Sequence, residues 1–397
     1  MQNHIKILTA ESVTEGHPDK LCDIIADSVL DECLRTDPTS RVACEVLATA
    51  GKVIVAGEIT TAGMPDIPYI VSKTIKHIGY DGLEYEIECR IHDQSGDIAQ
   101  AVDQDSSIYN GNKNGKPVDD SCPLGAGDQG ILYGYATTET KEMLPLPVVL
   151  AHRMTHLLTA ARRLGTIPGL LPDGKTQVSV EYADGAPQRV TSIVVSAQHT
   201  QDTDMEALRA RIMDHVILPS LGKLPFDKDA VYINASGRFV FGGFEADTGL
   251  TGRKLMVDTY GGSIPHGGGA LSGKDATKVD RSGAYMARYI AKNIVGARLA
   301  GECTISLAYA IGKSEPVAVD VDTHGTGIYH DGILKEVVLS VFDLTPSGII
   351  RTLELTKPIF ARTARQGHFA DEAFPWEQIN RAHELRSMCR AMESKRR

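Results

Sequence analysis

The stretch "HPDKLCDIIADSVLDECLRTDP", residues 17–38, runs on into "RVACEVLATAGKVIVAGEIT", residues 41–60, and this pair sets the fold. In the first segment Leu21, Ile24, Ile25, Ser28 and Val29 share one face of a 3.6-residue period, which predicts an amphipathic helix. The second reads as two strands about a turn at Gly51. "DIPYIVSKTIKHIGY", residues 66–80, predicts another helix, and the alternation in "LEYEIECRIHD", residues 83–93, another strand.

The same order returns twice. "LPVVLAHRMTHLLTAARRLG" is helical, "KTQVSVEYADGAPQRVTSIVVSAQ" is strand, Asp184-Gly185 turn and strand, "DMEALRARIMDHVILPSLG" is helical and "AVYINASGRFVFGG" extended. Then "RSGAYMARYIAKNIVGARLAG" predicts a helix, "CTISLAYAIGKSEPVAVDVDT" a hairpin, "ILKEVVLSVFDLTP" a helix and "GIIRTLELTKP" a strand. The copies start near His17, Pro147 and Asp280, a period of about 130 residues. Three such units imply an α+β protein of three similar domains, each a sheet covered on one face by helices. The division expected is 1–103, a loop at 104–124, then 125–243 and 244–397. Residues 103–120 are rich in Asn, Gly, Asp, Ser and Lys, the composition of a lid, a binding loop or a linker.

Composition narrows the function. The 397 residues are 42% hydrophobic, enough for real cores, and the net charge of −10 argues against nonspecific nucleic-acid binding. Seven cysteines with no CxxC pair argue against a disulfide framework or a structural zinc site; small buried hydrophobes in a reducing compartment explain them. The N-terminus lacks the pattern of a signal peptide and no apolar run approaches the length of a membrane span, so the expected location is the cytoplasm.

Four polar, glycine-containing segments concentrate the chemistry. "ESVTEGHPDK" places His17, Pro18, Asp19 and Lys20 at a helix start; Pro18 and Asp19 suit that position structurally, but His17 is not explained that way. "GAGDQG", residues 125–130, reads as a turn or as a close backbone approach around Asp128. "ADTGLTGRK" sets Arg253 and Lys254 beside glycines, either as a solvated surface or as an anion site. In "HGGGALSGKDATKVD", residues 266–280, Gly268, Gly273 and Lys274 imitate a P-loop, but Asp275 stands where the metal-binding Ser or Thr belongs and no apolar strand runs into the loop. A helix starting near Asp275 would set Lys274 and Lys278 on one face, with Asp280 in the next turn able to hold a magnesium ion beside a polyphosphate. These residue types suit an enzyme that binds a nucleoside triphosphate with Mg²⁺ and stabilises departing phosphates.

At these segments the chain resembles the S-adenosylmethionine synthetase (methionine adenosyltransferase) family. "GHPDK", "GAGDQG", "GLTGRK", "VDTYGG", "HGGGALSGKD", "KVDRS" and "GHFA…FPWE" fall in the family's order along nearly the whole chain. The resemblance implies three pseudo-symmetric α+β domains and a homodimer, paired into a dimer of dimers, with sites between subunits. It implies a transferase in which methionine sulfur attacks C5′ of ATP and expels triphosphate, which is then hydrolysed to pyrophosphate and phosphate. By the same resemblance His17, Lys274, Arg253 and Asp128 are catalytic. Asp173, Lys175, Arg238, Phe239, Asp247, Lys254 and Ala270 join His17, Arg253 and Lys274 around ATP, and Glu58, Gln100, Asp247 and Lys278 surround methionine. Asp19 and Asp280 bind Mg²⁺, two ions per site, and Glu45 binds K⁺, one per subunit. The loop after Gln100 corresponds to the family's mobile lid and is longer here than in many bacterial members. Leu271 and Phe244 depart from the family's usual Phe and Pro. The rival readings are a P-loop kinase or ATPase, and a silent regulatory homologue; the latter should have lost His17, Lys274, Lys278 or Asp280, and all four are present. No nucleic-acid or membrane partner is expected.

Overall fold

The structure, a computed structural model, describes residues 5–94, 124–365, 367–369 and 371–396. Gln100 and the lid expected at 104–124, apart from Leu124, lie outside the described residues, as does Cys122. Strand β1 (Ile5–Val13) leads to helix α1 (Pro18–Thr36), the hairpin β2 (Arg41–Thr49) and β3 (Lys52–Thr60), helix α2 (Ile67–Ile78) and β4 (Glu86–His92). β5 (Gly130–Thr137) precedes α3 (Leu146–Arg163), the hairpin β6 (Leu170–Ala183) and β7 (Ala186–His199), α4 (Met205–Ile212), a π-turn at Met213–Ile217, α5 (Leu218–Leu221) and β8 (Val231–Ile233). β9 (Gly249–Leu250) and the single turn α6 (Leu255–Asp258) precede α7 (Val279–Gly296), the hairpin β10 (Glu302–Tyr309) and β11 (Ala318–Asp322), α8 (Asp331–Val341), α9 (Pro346–Thr352) and α10 (Ala382–Arg396).

One plan is used three times. A central helix (α1, α3 or α7) is followed by an antiparallel hairpin that it covers. The strands alternate buried and open positions, as in β2 and β10, because a pleated strand turns successive side chains to opposite faces. In the first two units a further strand pairs in parallel with the second hairpin strand, β4 on β3 and β8 on β7.

The outer strand of each sheet is borrowed. The sheet orders are β1-β6-β7-β8, β11-β10-β5 and β4-β3-β2-β9. The strand before α1 therefore completes the second sheet, the strand before α3 completes the third, and the strand before α7 completes the first. The exchange closes on itself, so no sheet is made from one continuous third of the chain. Main-chain hydrogen bonds and two apolar cores, one of them shared by α1 and α7, knit the units together.

Local expectations hold wherever pattern and capping agree. α1 opens with Pro18 at its first position and Asp19 in its first turn, and ends at Asp37, where Pro38 prevents continuation. The Asp184-Gly185 turn takes positive φ at both residues, as a two-residue hairpin requires. Two expectations fail. "GIIRTLELTKP" is not a strand: Thr345 caps a helix by accepting from Gly348 N–H, Pro346 occupies its first turn, and Ile349 is packed in the core. The helix expected from Asp275 starts at Val279 instead, because Asp275 Oδ1 accepts from Thr277 N–H and holds a turn there. Lys274 lies in a β-bridge to Ala43, so Lys274 and Lys278 do not share a helix face. Among the described residues no helix is long and apolar enough to cross a membrane.

Candidate active site

α1 is buried nearly all round, and one of its faces is acidic. Asp19, Asp23, Asp27 and Asp31 recur every four residues, which stacks them along one stripe. Each accepts a backbone N–H from a distant loop. Leu250 N donates to Asp19 Oδ1 at 3.0 Å, Gly252 N to Asp23 Oδ1 at 2.8 Å and Gly273 N to Asp27 Oδ1 at 2.8 Å. Phe360 N and Ala361 N donate to the two oxygens of Asp31 at 2.8 and 2.9 Å. The glycine-containing loops of the C-terminal third thus hang from the first helix. This stripe was missed in the sequence, although its spacing was there to be read.

At the first turn of α1, His17 is the N-cap, and its Nδ1 accepts from Asp19 N–H at 3.2 Å. An accepting Nδ1 carries no proton, so the neutral ring bears it on Nε2. Burial, and then the charge of Lys254, bring the His17 pKa down to about 3, which keeps the ring neutral at physiological pH. Asp19 is 2% exposed; its Oδ2 takes Lys254 Nζ at 2.5 Å, and Arg253 Nε lies 3.5 Å from Oδ1. Burial raises this carboxyl, but bonds from Lys254 and Leu250 N–H outweigh it and hold the group below its ordinary value. Lys175 adds to the positive field on His17 while pairing with Glu11 at 2.7 Å.

Asp173, on β6, accepts from Gly243 N–H at 2.9 Å; burial, with Asp247 and Asp19 adding to it, raises its carboxyl to about 6. Asp247 is exposed beside this point. Phe239 bonds through its backbone to His199, Arg238 is exposed next to it, and Ala270 packs against Gly252.

Eight residues further along α1, about 12 Å at 1.5 Å per residue, a second cluster forms. Lys274 Nζ meets Asp280 Oδ2 at 2.7 Å. The glycine run Gly267–Gly269 wraps this pair: a β-carbon on Gly268 would lie 2.8 Å from Asp280 Oδ1, so only glycine allows the approach. Asp128 is exposed at the end of β5, where the chain at Gly130 passes beside Asp280. Lys278 caps α7 and its ammonium bonds Asp275. Asp275, where a P-loop would have Ser or Thr, is fully used by the fold: Oδ2 also accepts from Val42 N–H at 2.6 Å. Glu45 and Glu58 stand on the face of β2 and β3 turned away from the core, with Lys274 in the field of Glu45. The two departures from the family pattern are absorbed by packing: Phe244 sits edge-on to Tyr80 and Tyr85, and Leu271 is buried.

In each cluster a carboxylate meets a lysine, Asp19 with Lys254 and Asp280 with Lys274. Among the described residues no group of three or more His, Cys, Asp or Glu could cage a metal. Asp19 and Asp280 are hard oxygen donors, one to a cluster and each close to lysine. That donor set fits a magnesium ion taking its remaining ligands from phosphate and water, since Mg²⁺ is commonly bound by one or two carboxylates plus substrate phosphates.

Comparison with known proteins gives the family. Family profiles for the N-terminal, central and C-terminal domains of S-adenosylmethionine synthetase match residues 5–107, 123–239 and 241–378. The chain is 50% identical over 394 residues to the S-adenosylmethionine synthase of Nocardioides sp. (strain ATCC BAA-499 / JS614), covering 96% of this chain and 98% of the relative. It is 49% identical to that of Desulforudis audaxviator (strain MP104C), over 96% and 98%. It is 48% identical to that of Clostridium botulinum (strain Alaska E43 / Type E3), over 96% and 99%. The chain therefore belongs to the S-adenosylmethionine synthetase family and is an S-adenosylmethionine-forming transferase that, like its family, works with metal ions.

Proposed function

We propose that methionine sulfur attacks C5′ of ATP in line with the C5′–O5′ bond. The S–C5′ bond forms, the C5′–O5′ bond breaks, and triphosphate leaves with the electron pair. Water then cleaves the triphosphate to pyrophosphate and phosphate. The observation that carries this reading is the neutral His17 ring, with its Nε2–H free of the helix cap, next to Asp19, which itself meets Arg253 and Lys254. Nε2–H donates to O5′ as negative charge gathers there. Arg253, Lys254 and Lys274 meet the phosphate oxygens, which counts for more in a site that excludes water. Asp128 belongs to the same catalytic set.

Asp173, Lys175, Arg238, Phe239, Asp247 and Ala270 hold the nucleoside, and Glu58, Gln100, Asp247 and Lys278 hold methionine. Asp19 and Asp280 would hold two Mg²⁺ ions per site, which supply neutralisation of the triphosphate. Glu45 would hold one K⁺ per subunit. The chain works as a homodimer, paired into a dimer of dimers, in the cytoplasm. The open face of β2 and β3, where Glu45 and Glu58 stand among Ala43, Leu47, Ile54 and Ala56, supports a protein partner on that side. The divisions 1–103, 125–243 and 244–397, with a lid at 104–124, remain part of this reading.

The test is incubation with ATP, methionine, Mg²⁺ and K⁺. S-adenosylmethionine, pyrophosphate and phosphate in equal amounts are expected. ADP as the nucleotide product would favour a kinase, and absence of turnover a silent homologue.

A further inference from the structure

The phosphate-facing residues Arg253 and Lys254 lie in a short segment pinned at both ends. Gly252 N–H, immediately before them, donates to Asp23 Oδ1 at 2.8 Å. Four residues after Lys254, Asp258 closes the turn with its own N–H on Lys254 O at 2.9 Å. One ammonium joins the two pins. Lys20 Nζ is 3.1 Å from Asp23 Oδ2 and bonds Asp258 Oδ1, and all three side chains are 0–1% exposed. Lys20 lies outside the set assigned above to ATP, methionine or metal.

We infer that Lys20 is a positioning residue for adenosyl transfer: with Asp23 and Asp258 it clamps residues 252–258 so that Arg253 and Lys254 are held at the triphosphate. A buried ammonium between two carboxylates is expensive to desolvate, and it holds its place because both partners are fixed, Asp23 by helix α1 and Asp258 by its own helical turn. Burial lowers the basicity of Lys20, but the charges of Asp258 and Asp23 outweigh it and keep the ammonium protonated. Removing the ammonium takes away the one group that meets both acids, so the two pins are no longer tied to each other. Small displacements of a catalytic cation are costly, since productive geometry tolerates errors well below 1 Å.

The inference rests on the proposed roles of Arg253 and Lys254, and the experiment separates the two. Lys20→Met in the full-length protein keeps the length of the side chain and removes its charge. Amide hydrogen exchange should speed up at least tenfold in peptides covering residues 250–260 and stay unchanged in β6 and β7. At the same time kcat should fall at least tenfold and KM for ATP rise, while KM for methionine, whose proposed residues Glu58 and Lys278 lie with the other cluster, changes less than twofold. Unchanged exchange at 250–260, or unchanged kcat, overturns the clamp. If exchange rises as expected but Lys254→Ala is fully active, the clamp stands as a structural feature and the phosphate roles fail instead. Should Lys20→Met not fold, Asp23→Asn, which keeps an acceptor for Gly252 N–H and removes the ion pair with Lys20, is read by the same two measurements.

Discussion

Asp27 and Arg281 are 254 positions apart and meet as a fully buried two-pronged pair, with N···O distances of 2.7 and 2.8 Å. All five N–H groups of Arg281 are used: the remaining three go to Tyr285 Oη, Lys274 O and Thr363 Oγ1. The guanidinium also lies 4.3 Å from the Phe360 ring centroid. The pair therefore fixes the backbone at Lys274 from inside the protein. Asp27→Ala strands a buried cation, and a loss of about 3–5 kcal/mol is expected. The urea midpoint of the Asp27→Ala, Arg281→Met double variant should lie above that of Asp27→Ala alone; equal or lower stability would refute a charge-stranding cost.

His17→Asn separates capping from chemistry. Asn is as good an N-cap as any residue, so the thermal midpoint should stay within about 2 °C of the parent, the shift a few tenths of a kcal/mol give in a chain this size. The variant lacks Nε2–H at the departing oxygen, and kcat should drop by about 10²–10³. Near-parental turnover would remove His17 from the mechanism.

Lys274→Ala and Lys254→Ala each delete one cation from a different cluster. Each should lower kcat/KM for ATP by about 10²–10³, the usual cost of one well-placed electrostatic donor. Steady-state assays at saturating methionine check this. If only one matters, the two clusters do not serve one triphosphate.

Gly273 has φ of +80°, and a β-carbon there would sit 2.0 Å from Cys44 O. Gly273→Ala must open the Cys44 N–H to Gly273 O bond of 2.9 Å and move Lys274 with it. Gly51 has a similar φ of +70° with nothing within 4 Å of an added β-carbon. Gly51→Ala should show only the backbone strain, about 1 kcal/mol, and parental activity. Gly273→Ala should lose more stability and most of its activity, read by thermal melting and product formation.

Histidine burial predicts a pH effect on stability. His152, whose Nδ1 faces Ser12 Oγ at 2.9 Å, is lowered by burial, and then by the charge of Lys20, to about 4. In the unfolded chain it titrates near 6.5, so between about pH 4 and 6.5 the unfolded state binds more protons and acidification destabilises the fold. Buried carboxyls raised in the fold, such as Asp173, act in the opposite sense, so the difference between two proteins is the informative quantity. The thermal midpoint of the parent should fall more steeply from pH 6.5 to 4.5 than that of His152→Gln. Parallel curves would rule out this linkage.

Much of this protein was legible before its shape was known, because the relevant physics is local. The 3.6-residue and two-residue periods gave the helices and hairpins of all three copies, and the His17-Pro18-Asp19 and Asp184-Gly185 signals gave a helix start and a turn. "GIIRTLELTKP" misled because its β-branched residues suit a strand, while the Thr345-Pro346 start that makes it a helix lies just outside that stretch. The site residue types were legible too, with His17, Asp19, Arg253, Lys254, Lys274 and Asp280 standing out by their glycine-rich settings. Lys20, Asp23, Asp258 and Arg281 were not singled out for what they do, since a buried ion pair has no sequence signature until its partner is known.

The sequence by itself determined three copies of one helix-and-hairpin plan, the family, and the charged groups available to it, because those follow from short-range pattern and composition. Only the tertiary structure decided the cyclic exchange of outer strands and the hanging of distant backbone segments on Asp19, Asp23, Asp27 and Asp31. Strand partners more than 150 residues away and backbone N–H groups more than 200 away are chosen by what remains unsatisfied once the cores close, and no local pattern records that choice.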